Sequence, residues 1–171
     1  MAGPLILLAL ATATPEACAV PAQERSRQLT LGYDAFDQAP APYGWRDLNA
    51  RGCTDAAVAL LRAYRSANRD RLSAEQSSES AFHVGQAYAF ANRPADALAA
   101  FLGVDTANAT EEWRAYVAAH VAFFQRDAAA LAQAQRRYAS VAKTGSMRLK
   151  VIDGFLKCPD KSYVEGAHCA M

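Results

Sequence analysis

Apolar positions along this chain recur every three or four residues rather than alternating. Ala57, Leu60, Leu61 and Tyr64 fall at i, i+3, i+4 and i+7, and Leu131, Ala134 and Tyr138 at i, i+3 and i+7. Met147, Val151, Ile152, Phe155 and Leu156 repeat the pattern. One face of an α-helix carries that spacing. The boundaries follow from capping chemistry. A short helix over Trp45–Ala50 is closed by Gly52, suited to a left-handed C-terminal cap. Cys53 or Thr54 opens a second helix, with Asp55 at the positive end of its dipole. Ser73-Ala-Glu-Gln76 is a capping box that opens a third, running to about Ala91. Pro94 lies in the first turn of a fourth, which ends near Gly103. Thr110 caps a fifth, ending at Gln125-Arg126, Asp127 caps a sixth, and Gly145-Ser146 begins the last. Alternating Val, Ile and Thr runs are missing. The pattern predicts an all-α fold: about three stacked antiparallel helix pairs over 43–157, with the last helix as a C-terminal cap.

The ends read differently. Pro4 to Ala13 is an apolar run of signal-peptide length, too short to span a bilayer. Ala17-Cys18-Ala19 follows with an A-x-A pattern, so residues 1–19 read as a signal peptide cut after Ala19. Cys18 also raises a lipoprotein reading, but Pro15-Glu16-Ala17 fits a lipobox poorly, and a buried N-terminal helix is the bland alternative. Residues 20–42 turn from polar to Pro- and aromatic-rich, with Leu31, Tyr33 and Phe36, and predict an irregular or partly helical arm. Pro40 and Pro42 stop any helix there. Residues 158–171 form a short polar tail.

Composition narrows the class. The chain has 171 residues, 52% hydrophobic and 20% charged, with a formal net charge of +1. That is enough apolar surface for one core and gives no electrostatic footprint for nucleic acid. No other apolar run reaches membrane-spanning length, so the expected location is periplasmic or secreted. With Cys18 removed, three cysteines remain, and an oxidising compartment favours pairing. Cys158 with Cys169 would pin the tail; Cys53 with either is the competitor, and free buried cysteines the third option. C-x-x-C is absent.

Ala89-Phe90-Ala-Asn-Arg93 with Ala97-Leu98 superposes on Ala122-Phe123-Phe-Gln-Arg126 with Ala130-Leu131 at an offset of 33 residues. Val84 and Gly85 fall on Val117 and Ala118. A helix–turn–helix unit with a period near 34 residues is the tetratricopeptide signature. The segment Ala81–Val104 resembles such a repeat, with Val84, Gly85, Tyr88, Ala97 and Phe101 at the large, small, aromatic, small and aromatic positions. The second copy departs from the pattern, with Val121 and Ala134 where aromatics would fall; the resemblance is loose over 45–68. It implies a TPR-like α-solenoid in which the first helix of each pair lines a concave groove. The groove positions it implies are Glu79, Phe82, Gln86 and Phe90, then Glu112, Ala115, Ala119 and Phe123, a mildly acidic and aromatic surface. Filling of that groove by the arm or tail is the competing expectation.

Candidate chemistry adds little. His83, His120 and His168 never fall at i, i+4, so no helical metal pair exists. His83 and His120 read as locally satisfied helix residues. The Arg62, Arg65, Arg69 stripe reads as a solvated face. Nucleophile elbows, phosphate loops and dinucleotide fingerprints are absent. No catalytic residue, cofactor or metal is implied. The expectation is a non-catalytic exported module that binds an unidentified protein or peptide through the groove. The alternatives are a cell-wall-associated enzyme or accessory, with Glu79 and Glu112 as its only nominees, or a purely structural envelope subunit.

Overall fold

The structure, a computed structural model, describes residues 16–38 and 41–171. Residues 1–15, which carry the apolar run of the expected leader, and 39–40, which include Pro40, lie outside them. The described residues form ten α-helices and no strand: α1 Ala22–Thr30, α2 Tyr33–Asp37, α3 Trp45–Ala50, α4 Thr54–Ala67, α5 Ala74–Phe90, α6 Pro94–Leu102, α7 Glu111–Gln125, α8 Ala128–Val141, α9 Met147–Lys157 and α10 Tyr163–His168. The all-α expectation holds.

The predicted caps form at four helices, while Cys53 opens α4 without a side-chain cap bond. Ser73 accepts from the Gln76 amide while Gln76 Oε1 accepts from the Ser73 amide. Thr110, Asp127 and Ser146 each accept from the backbone three residues on. Gly52 has φ 79°, and α7 ends with Arg126 at φ 59°, left-handed turns that reverse the chain. From α3 to α10 each helix packs on the next. Gly85 shows why a small residue is needed between α5 and α6: a Cβ there would lie 2.5 Å from the Phe101 ring.

Both ends are more ordered than their composition predicts. The arm takes the partly helical form of the two expected, with two helices, and it wraps α4: Tyr64 donates its hydroxyl proton to Leu31 O at 2.9 Å, and Asn68 donates to Leu29 O at 3.0 Å. Phe36 stacks on Tyr64 with ring centroids 3.6 Å apart. The tail is also helical. Ser162 and Glu165 form a second capping box that opens α10, and α10 packs back on α9 and α5. Gly154 permits the close crossing of α9 and α10, since a Cβ there would meet Gly166 O at 2.3 Å.

The cysteine expectations divide. Cys158 pairs with Cys169, as predicted. Cys53 pairs with neither of them; it pairs with Cys18, the residue that a cut after Ala19 would discard. Cys18 is a half-cystine here and has no thiol to acylate. In the chain-entropy model, loops of this size are worth about 4 kcal/mol for Cys18–Cys53 and about 3 kcal/mol for Cys158–Cys169.

Candidate functional site

Phe82 sits mid-way along α5, where Ala81, Val84, Gly85 and Tyr88 are all buried. Its ring lies 4.7–5.3 Å from those of Phe101, Trp113, Tyr116 and His120, and only 1% of the residue is exposed. Phe123, on α7, stacks on Phe155 of α9 with centroids 4.2 Å apart and is 2% exposed. Gly166 of α10 lies against the edge of that ring. Neither phenylalanine lines an open groove. The physical reason is that α6 and α7 close over Phe82, while the chain's own C-terminal helices α9 and α10 close over Phe123.

The polar groove nominees are engaged as well. Glu79 accepts from Tyr33 Oη of the arm at 3.0 Å and from Arg148 of α9 at 3.3 Å. Glu112 accepts from Tyr138 Oη at 2.7 Å. Gln86 donates to Tyr163 Oη of α10 at 3.2 Å. Glu79 and Glu112 do share a small cleft with Glu75, Thr110 and Trp113, but Arg148 lies across it, its guanidinium 5.2 Å from the Trp113 ring centroid. Carboxylates still outnumber the one guanidinium there, but Glu79 and Glu112 both have partners within the chain.

At the centre stands His120, fully buried on α7. Its Nδ1–H donates to Tyr116 O at 2.9 Å, which leaves Nε2 as an acceptor 3.2 Å from Tyr163 Oη. Gln86, Tyr163, His120 and the Tyr116 carbonyl thus form one directional chain of donors. Burial, only partly offset by the Tyr116 carbonyl, pushes His120 down to about 4. Burial likewise raises the Tyr163 phenol well above its ordinary value.

His83 makes a second buried site, and its partner is distant in sequence. Its Nδ1 faces Asp37 Oδ1 of α2 at 2.7 Å, with Asp37 fully buried. Burial alone would raise the Asp37 carboxyl; the His83 contact and the Arg46 guanidinium outweigh it and hold it below its usual range. Arg46 also donates to Asp37 O at 2.6 Å. Trp45 stacks on His83, and Arg46 covers the Trp45 ring at 4.3 Å. The expectation that both histidines are satisfied locally is thus too simple. His120 has a local and a distant partner, and His83 lies in ion-pair contact with Asp37 of the arm.

One nominee remains open. Phe90, at the end of α5, is 47% exposed and touches Tyr163 edge-on at 5.4 Å. With Val164, Trp45, Arg46, Asn49 and Ala50 it lines a cleft of about 400 Å³ between α3 and α10. Val164 is exposed too, and the buried Trp45 Nε1 has no hydrogen-bond partner. The resemblance pointed to Phe90 but to neither wall of the cleft, because α3 and α10 meet only in the folded chain. Among the described residues, no helix is long and apolar enough to cross a membrane. Compared with protein-family models, with curated proteins and with solved structures, the chain matches none of them.

Proposed function

We propose that this protein is a non-catalytic interaction module, built on a TPR-like helical framework, that is exported and binds a protein or peptide at the Phe90 cleft. Two disulfides fit an oxidising compartment, and the leader reading supplies the route. The observation that carries the binding reading is the exposure of Phe90 beside Val164, in a cleft whose other wall is α3, on a face where every other nominated aromatic is buried. A cleft of that volume is in the size range of ligand sites, and two exposed apolar side chains suit a segment that inserts an apolar side chain of its own.

The test is capture from an envelope extract by the folded protein, with Phe90→Ala and Val164→Ala as probes. Recovery of the bound protein falls at least tenfold in both, with the melting temperature nearly unchanged. Equal recovery from wild type and variants would sink the cleft as a binding site. A second reading, a closed structural subunit, draws support from Tyr163 and Arg148 filling the remaining concave face; it predicts that equal recovery.

A further inference from the structure

All four cysteines are paired, and the segment just before the arm is built into the fold. Cys18 bonds to Cys53, which is 3% exposed at the start of α4. Arg51 Nη1 donates to Ala17 O at 3.0 Å, and the Ala19 amide closes a turn onto Glu16 O at 3.2 Å. Cys18 and Val20 pack against the core. A mature chain starting at Val20 would lose the disulfide, the Arg51 bond to Ala17 O and the turn onto Glu16 O, and keep Cys53 as a lone buried thiol among three cysteines. The finished protein therefore retains the chain from Glu16 onward, and any leader must be removed upstream of it.

The sequence upstream holds a suitable bond. The apolar run Pro4–Ala13 ends in Ala11-Thr12-Ala13, which places small residues one and three positions before the bond that follows Ala13. A bond after Ala17 would put Pro15 at the third position, and one after Ala11 would lie directly behind Leu10, inside the apolar run. We propose that a signal peptidase hydrolyses the Ala13–Thr14 bond. One water is consumed, the carboxylate leaves with Ala13, and the new amino terminus is Thr14. The site rests on the export reading given above and moves the processing point six residues upstream of the A-x-A pattern at Ala17-Cys18-Ala19.

The full chain, with a C-terminal tag, is produced in a bacterium with a secretory pathway and fractionated. The periplasmic product is treated with iodoacetamide without reduction, and its intact mass and N-terminal sequence are read. The expected product begins Thr-Pro-Glu-Ala-Cys, has the mass of residues 14–171 plus the tag less four hydrogens, and takes up iodoacetamide only after reduction. An exported product that begins at Val20 with Cys53 alkylated, at Thr12, or at a lipid-modified Cys18 overturns the site while export stands. Uncut chain held in the cytoplasm overturns the export reading and the site with it. Arginine at both Ala11 and Ala13 lowers the processed fraction at least tenfold. Arginine at both Ala17 and Ala19, whose side chains are exposed, leaves processing unchanged; a loss there instead would assign the cut to the downstream pattern.

Discussion

Phe90 and Phe123 fall at matching positions of two segments that superpose at an offset of 33 residues, and have opposite fates. Phe90 is 47% exposed and Phe123 is 2% exposed. Their own helices do not cause the difference. Beyond α7 the chain supplies Phe155 from α9 and Gly166 from α10, which close over Phe123. Beyond α5, on the side of α3, the Tyr163 edge reaches Phe90 and leaves it half-exposed. A repeat position thus names a station on a face, and the elements that fold back decide whether the station is core or surface.

The strongest way to break this comparison is to truncate both rings. Phe123→Ala leaves a cavity among Phe155, Phe124 and Tyr163 and costs about 3–5 kcal/mol. Phe90→Ala removes a half-exposed ring and costs within about 1 kcal/mol. Denaturant unfolding of the two variants reads the difference directly. Equal losses would mean that the C-terminal helices do not close over α7 as described.

Acid provides the next test, because it attacks the covered half at its centre. His120 is neutral in the fold with a depressed pKa of about 4, against an ordinary value of 6.5. The unfolded chain therefore binds more protons between those values, and stability falls as pH falls from about 6.5 to about 4. The full shift corresponds to about 3 kcal/mol. Of the groups facing His120, Arg148 disfavours a second positive charge and so adds to the effect of burial, while the Tyr116 carbonyl favours the protonated ring and offsets it only in part. Asp37 adds a separate acid loss at lower pH, since its carboxylate is held below the usual range by His83 and Arg46 despite its burial. His120→Gln should flatten the unfolding profile between pH 4 and 6.5 (a range set by the values above) and leave the lower limb in place.

The helices were legible where short-range chemistry sets them. Ser73, Thr110, Asp127 and Ser146 each accept the cap bond that their position predicts. Three features were not legible, two of them because they join residues remote in sequence. Asp37 meets His83 only after the arm wraps α4, and neither has a neighbour in sequence that announces the pair. Cys18 reads as part of a cleavage pattern until Cys53 is placed beside it. The tail reads as polar loop because α10 has only six residues, with Tyr163, Gly166 and Ala167 its buried ones. Ser162-x-x-Glu165, a capping box in the same form as the one at Ser73, was the signal that could have revealed that helix.

The crossing that brings α10 over the groove can be strained without touching any aromatic. Gly154→Ala places a methyl group 2.3 Å from Gly166 O and 3.0 Å from Ala167 O. Both are backbone atoms, so no rotamer relieves the overlap, and α9 and α10 must separate. Overpacking of this kind costs about 1–3 kcal/mol. The loss should be concentrated in hydrogen-exchange protection of α9, α10 and the Phe123 end of α7, with α3 and α4 nearly unchanged. Uniform loss across the chain would show that the covered half is not a separable layer.

The smallest effect is also the most specific. Tyr163→Phe keeps the ring that packs on Phe124 and Phe155 but removes the hydroxyl between Gln86 and His120. His120 Nε2 is then a buried acceptor without a donor, and Gln86 loses its acceptor, for a cost of about 1–2 kcal/mol. Because the phenol stabilises the neutral imidazole by donating to it, its removal should also raise the pKa of His120 in the folded protein. The acid loss of stability would then be shallower than in the wild type even though the variant is weaker at neutral pH. Tyr163→Phe with an unchanged acid profile would mean that burial alone sets the state of His120 and that the hydroxyl chain from α10 contributes nothing to it. A shallower profile would tie the closing of the groove to the protonation state of the one histidine at its centre.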